Sequence, residues 1–173
     1  MIKAKVGNLL ELIDAFKIDG ILNAANGIGV MGAGIAGAIK RYGGEEIQKD
    51  AIRVCKKLNP KEGQSYSTVS GKLKLKGVKR IIHAITMKNP GGETSIEVCK
   101  KAFKSAIERA KKRGIKNLGC TALGTGIGRL DPKKVAEMMF FIANESDLNI
   151  TFIDFDKDFI NKILEERDNL RSF

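Results

Sequence analysis

The 173-residue sequence contains one histidine, three cysteines, three prolines and no tryptophan. A lone His83 excludes a metal centre built from several imidazoles, and it leaves a Ser–His–Asp triad only one candidate base. Cys55, Cys99 and Cys120 are odd in number, far apart and outside any CxxC or Cys/His pattern, which argues against a disulfide framework or a zinc site. No apolar run approaches the roughly 18 residues of a membrane-spanning helix. No secretory apolar segment follows Met1-Ile2-Lys3-Ala4-Lys5, so a cytoplasmic location with no membrane partner is expected. Low-complexity stretches, repeats and Pro/Ser-rich linkers are also missing, and residues 1–173 are expected to form one domain. Acidic residues are scarce, 20 against 31 Lys and Arg, giving a net charge of +11. That surplus favours anionic partners (nucleotides, nucleic acid or phosphorylated metabolites) without choosing among them, and a Lys-rich solvated surface explains it equally well.

What is present is an alternation of strand and helix patterns. Ile2 to Val6 alternates as a strand, and Asn8 to Leu12 continues as an edge strand or a short turn. Ile18 to Ala25 reads as a buried strand entering a Gly-rich loop, followed by a helix ending near Gly43-Gly44 and a second from Glu45 to about Leu58. Gln64 to Ser70 and Val78 to Ile85 read as strands. Thr94-Ser95-Ile96-Glu97 has a capping-box pattern, and Ile96, Cys99, Phe103, Ala106, Ile107 and Ala110 then mark one helical face, up to a stop at Lys112-Arg113-Gly114. Leu118 to Leu123 is a strand entering a second Gly-rich loop. Asp131-Pro132 opens a helix to about Ser146, Ile150 to Phe155 is a strand, and a terminal helix spans about 158–167. The fold class is α/β, a largely parallel sheet with helices on both faces, and such sheets bind ligands where strand C-termini meet helix N-termini.

Both Gly-rich loops fall at such junctions. The first, Asn26-Gly27-Ile28-Gly29-Val30-Met31-Gly32-Ala33-Gly34-Ile35-Ala36-Gly37, holds GxGxxG twice. Glycines let main-chain N–H groups approach an anion, and a helix N-terminus adds a favourable dipole; the same pattern also serves a tight turn with close helix–sheet packing. A dinucleotide-oxidoreductase reading fits poorly, because a helix follows where a second strand with its acidic residue belongs, and no Gly-Lys-Ser/Thr phosphate loop occurs. The second loop, Gly124-Thr125-Gly126-Ile127-Gly128, leaves amides bare and offers the Thr125 hydroxyl. Two such loops at strand exits suggest a clamp on a diphosphate, and hence a nucleoside diphosphate joined to a second sugar.

Five segments carry a resemblance: Val6-Gly7-Asn8-Leu9, Ile21-Leu22-Asn23-Ala24-Ala25-Asn26, Gly32 to Ile39, Arg80-Ile81-Ile82-His83, and Ala122 to Gly128. Over about residues 2 to 156 the chain resembles the macrodomain family of ADP-ribose-binding modules. The resemblance implies a three-layer α/β/α sandwich with a mixed, largely parallel central sheet, and ADP-ribose in a cleft at the strand C-termini, with no cofactor or metal. It implies that Asn8, where relatives carry an acid, and the Leu9 amide meet adenine, that Phe155 packs on the ring and that Asp156 follows at that end. Gly32, Ala33, Gly34, Ile35 and Ala36, with Gly124, Thr125, Gly126, Ile127 and Gly128, would hold the diphosphate and distal ribose, and Asn26 would contact that ribose. Many relatives hydrolyse ADP-ribosyl bonds on proteins, nucleic acids or metabolites. One class pairs the equivalent of Asn26 with an acid ten residues later, here Ala36; another uses a Lys, loosely Lys88, and an Asp at the position of Gly128. The charged sets are incomplete, so binding is better supported than a given chemistry, with Asn26 positioning water in a phosphate-assisted hydrolysis as the candidate catalytic role.

Plainer readings stand beside these. His83, inside Ile81-Ile82-His83-Ala84-Ile85, reads as a buried, hydrogen-bonded imidazole. Asn23 reads as a brace for the first loop through its backbone, Phe155 could be core, and Asp131 is an N-cap. The run Lys100, Lys101, Lys104, Arg109, Lys111, Lys112, Arg113 and the cluster Lys72, Lys74, Lys76, Lys79, Arg80 read as solvated faces. Few aromatics lie within them, so no stacking platform for single strands is evident, but nonspecific nucleic-acid contact through these faces is the alternative reading.

Overall fold

The computed structural model describes all 173 residues. Six strands, β1 (Ile2–Val6), β2 (Gly20–Asn26), β3 (Ser65–Thr68), β4 (Arg80–Met87), β5 (Asn117–Cys120) and β6 (Asn149–Asp154), form one sheet in the order β1-β6-β5-β2-β4-β3. All pairings are parallel except β3 with β4. The helices are α1 (Gly34–Gly43), α2 (Glu45–Leu58), α3 (Ile96–Lys112), α4 (Pro132–Asn144) and α5 (Lys157–Arg171). This is the expected three-layer α/β/α sandwich with a mixed, largely parallel sheet.

Covering both faces requires apolar residues on both faces of the central strands, and Ile21, Leu22, Ile81, Ile82, Ala84 and Ile85 are all fully buried. On one face α3, α4 and α5 pack around Phe103, Phe140, Phe152 and Phe159. On the other, α1, α2, a 3₁₀ turn over Gly71–Lys76 and the segment 8–18 pack around Leu10, Ile13, Ile39, Ile47 and Tyr66. The apolar periodicity of α3 lies inward as expected. Its cap differs from the sequence pattern: Ser95, not Thr94, is the N-cap and accepts from the Val98 amide at 3.2 Å, so Glu97 falls in the first turn and closes no box. Asp131 caps α4 from the expected position, accepting from the Lys133 amide with Pro132 behind it.

Other boundaries shift for local reasons. The segment after Asn8 is a series of turns, because the Asn8 carbonyl and side chain accept from Glu11 and Leu10 and draw the chain off the sheet. β5 stops at Cys120, where the chain turns into the second loop. The 3₁₀ turn has no apolar repeat to announce it: Leu73 is its one buried residue and Leu75 is exposed. α5 runs beyond its expected end, to Arg171, and within it Lys162 pairs with Glu137, Glu165 and Glu166. No helix is long and apolar enough to cross a membrane. The five parallel strands end on one side of the sheet, and both glycine loops emerge there.

Candidate functional site

A cleft of about 630 Å³ opens at those strand ends. Its walls include Asn8 and Leu9 after β1, Asn26 at the end of β2 and the 32–36 segment beyond it, Met87 at the end of β4 with Pro90 and Gly91 beyond it, the 124–128 loop after β5, and Asp154 and Phe155 at the end of β6.

The first loop is folded by Asn26. Its Oδ1 accepts from the amides of Ile28, Gly29 and Val30 at 3.1, 2.9 and 3.3 Å, and its Nδ2 donates to the Val30 carbonyl at 2.9 Å. Asn26 is therefore largely spent on its own loop, with one Nδ2 hydrogen left. Asn23 does not brace this loop, contrary to expectation: it points to the other strand neighbour, with its Nδ2 3.0 Å from His83 Nδ1. The glycines have separate jobs. At Gly29 (φ +85°) a Cβ would stand 2.6 Å from the Ala51 backbone, so α2 packs directly on the chain, whereas Gly32 and Gly34 (φ +57°) face open space. Gln48 Oε1 accepts from the Met31 amide at 2.8 Å and ties the loop to α2.

Past Met31 the main chain stops bonding to itself. The amides of Gly32, Ala33, Gly34, Ile35 and Ala36 donate to no group of the protein, and the first helical bond of α1 begins only at Gly37, to the Ala33 carbonyl at 3.1 Å. The amides of Gly124, Thr125, Gly126, Ile127 and Gly128 are likewise without protein partners, while Gly124 and Gly126 carbonyls accept from Leu130 and Arg129 and fix the turn. Ten donors thus border one cleft, five at a helix N-terminus, and Thr125 adds a hydroxyl. Main-chain N–H groups free of protein partners, five of them at a helix N-terminus, favour an anion, so a group with many acceptors is the complement of this wall. Ala36 and Gly128 occupy the positions at which the resemblance implies catalytic acids in hydrolytic relatives. A side chain at Gly128 has no room, because its Cβ would lie 2.5 Å from Thr94 Cγ2 and 2.6 Å from the Gly124 carbonyl. Lys88 is exposed and outside the cleft wall.

At the other end, Phe155 is 73% exposed and lines the mouth, so it is not core. Asp156 does not line the cleft: its carboxylate caps α5 by accepting from the Phe159 amide at 3.1 Å, which turns it away. The acid in the wall is Asp154, whose two oxygens accept from Ala122 at 3.0 Å and Asp156 at 2.8 Å. Arg41 is the other charged residue in the wall. Neither was singled out in the sequence. Arg41 could have been found, since it lies seven residues after Gly34 on the same helical face; Asp154 reads as an ordinary strand-end acid.

His83 is fully buried, stacked on Tyr66 at 4.5 Å between ring centroids, with Thr68 Oγ1 2.8 Å from Nε2. The Thr68 hydroxyl donates to the Val69 carbonyl, so Nε2 carries the proton and Nδ1 accepts from Asn23. Burial drives its pKa down to about 3, against a smaller opposing pull from Asp50. It is a neutral structural imidazole, away from the cleft wall. The three cysteines are free and buried, and burial raises the pKa of each thiol. No three His, Cys, Asp or Glu side chains converge on a metal-sized site. Neither basic cluster lines the cleft, and several of its members are engaged locally: Arg109 on the Ser65 carbonyl, Arg113 on Ser67, Lys79 on Asp19 and Lys111 on Asp147.

Comparison with known proteins agrees with this geometry. The Macro domain family profile matches residues 22–139. An uncharacterised protein of Aquifex aeolicus is 43% identical over 135 residues, covering 78% of this chain and 75% of that protein, whereas the match spans only 18–60% of several other curated relatives. Among solved structures, the macrodomain of Mycobacterium tuberculosis DarG superposes with a TM-score of 0.76 at 25% identity, covering 89% of this chain and 97% of that one. The Thermosipho africanus DarTG complex with ADP-ribose gives 0.70 at 19% identity, covering 87% and 41%, a likeness of fold. With the family profile spanning more than half of its length and a close relative in sequence, the chain is a member of the macro domain family.

Proposed function

We propose that the cleft binds ADP-ribose, free or as the ADP-ribosyl group of a modified protein or nucleic acid. The observation that carries this reading is the pair of loops with ten unpartnered main-chain amides on one cleft, complementary to a diphosphate. The exposed Phe155 ring at the mouth suits a base, and the volume suits a nucleotide-sized ligand. The bound ligand named for the Thermosipho protein supports the same class. Isothermal calorimetry with ADP-ribose tests it: heat of binding is expected, and its absence at millimolar ligand defeats the reading. Gly34→Glu is expected to weaken binding by about 100-fold or more, because the new carboxylate enters open cleft space beside the diphosphate.

Binding is the activity the wall supports most directly. Asp154 has both oxygens engaged, His83 is buried and neutral, and Ala36 and Gly128 carry no acid. Linkage cleavage in this cleft would draw on the substrate's own phosphate and on water held by the remaining Nδ2 hydrogen of Asn26. Mass spectrometry of ADP-ribose released from modified protein or end-modified DNA and RNA separates a hydrolase from a reader. We read residues 1–173 as one such domain, since β1 and α5, outside the matched stretch, complete the same sheet and layer. The cytoplasm is the proposed location.

A further inference from the structure

Gly37, the last glycine of the first loop, lies in the first turn of α1 and has no positive φ, so backbone freedom does not account for it. What it provides is space. A Cβ at Gly37 would stand 3.1 Å from the Gly32 carbonyl oxygen and 3.4 Å from Arg41 Nη1. The Arg41 side chain therefore folds back by one turn along α1, and its guanidinium lies against the same point as Gly32, where the open-amide segment begins. Gly34, Ala38 and Arg41 form one stripe of α1, and all three line the cleft.

Nothing in the protein answers this cation. Arg53, Arg109, Arg113 and Arg167 are each bonded to a protein oxygen, whereas the exposed Arg41 is bonded to none. Asp154, the acid in the wall, is turned to the Ala122 and Asp156 amides and forms no ion pair with it. Arg41 belongs to the last turn of α1, where the helix dipole favours a cation, yet its guanidinium reaches back to the first turn, where the dipole disfavours one unless an anion is bound. The open amides are neutral donors; a guanidinium adds full charge and a planar fork that matches phosphate oxygens. We propose that Arg41 is an anion-binding residue of this cleft, seated by the missing side chain of Gly37, and that its guanidinium pairs with a phosphate oxygen of the bound ligand. The proposal rests on the ADP-ribose reading above, because it adds a charged donor to the same amide wall.

The test is calorimetric titration of the full chain with ADP-ribose, as wild type, Arg41→Met, Gly37→Ala and the double variant. Arg41→Met is expected to weaken binding by about fivefold or more while leaving the melting temperature of the free protein within about 2 °C, since it removes an exposed side chain without protein partners. In wild type the Nε–Hε resonance of Arg41, identified by its loss in Arg41→Met, is expected to shift as ADP-ribose saturates the cleft. Gly37→Ala pushes the guanidinium off its seat, so it is expected to weaken binding at least about threefold more in wild type than in the Arg41→Met background. Affinity of Arg41→Met within about twofold of wild type, or an Arg41 resonance unmoved by bound ligand, overturns the proposal. Equal losses from Gly37→Ala in the two backgrounds overturn the seating at Gly37. If ADP-ribose does not bind wild type at all, the ADP-ribose reading itself falls and takes this inference with it.

Discussion

Asn26 and His83 show how similar polar residues on neighbouring buried strands come to opposite uses. Asn26 sits where β2 ends and gathers three amides on one oxygen, so it determines the shape of the first loop before it touches any ligand. Asn26→Ala is therefore expected to lower unfolding free energy by about 1–3 kcal/mol in urea titration and to weaken ADP-ribose binding by about tenfold or more, because the freed amides lose their acceptor. His83 is excluded from acid–base work by burial. An unfolded imidazole takes a proton below about 6.5, but the folded one, lowered to about 3, does not. The unfolded state then binds more protons through that window, so stability is full above pH 6.5 and falls as pH drops from there toward 3. Ring chemical shifts of His83 by NMR should show no protonation between pH 8 and 5 in the folded protein. Residue identity alone pointed to Asn26 as functional and to His83 as structural; it misassigned Asn23, whose partner lies sixty residues away across the β2–β4 register.

At the scale of the element, helix ends carry both stability and the site. α1 has no side-chain cap, and its N-terminal amides stay open for an anion, whereas α3, α4 and α5 are each capped by Ser95, Asp131 and Asp156. Asp156→Ala should lower stability by about 1 kcal/mol in chemical denaturation while changing ADP-ribose affinity by less than about twofold, since it removes a cap and nothing from the cleft. A binding loss larger than that would return Asp156 to the site. Helix α3 was legible because its apolar residues recur every three or four positions over seventeen residues. The 3₁₀ turn was not, because a single buried Leu73 leaves no period to read. The end of β5 is not legible either: Ala122 and Leu123 are as apolar as the strand, and only the engagement of the Ala122 amide by Asp154 shows that the chain has left the sheet.

For the whole molecule, the positive charge and the cleft are separate features. The cleft's donors are mostly neutral main-chain amides, and the Lys-rich faces lie elsewhere. ADP-ribose affinity is thus expected to fall by less than about threefold between 0.1 and 0.5 M salt, while any nucleic-acid binding through the basic faces would fall by orders of magnitude. Binding should also raise the melting temperature by roughly 5–10 °C at a hundredfold excess over Kd, read by scanning fluorimetry. The order of strands and helices, the two amide-rich loops and the absence of a multi-histidine metal set follow from the linear chain, because apolar period, Gly spacing and composition are local properties. Which acid faces the cleft, where Asn23 points and why Gly128 admits no side chain follow only from tertiary structure, because each depends on a contact between segments far apart in sequence: Asp154 with Ala122, Asn23 with His83, and Gly128 with Thr94.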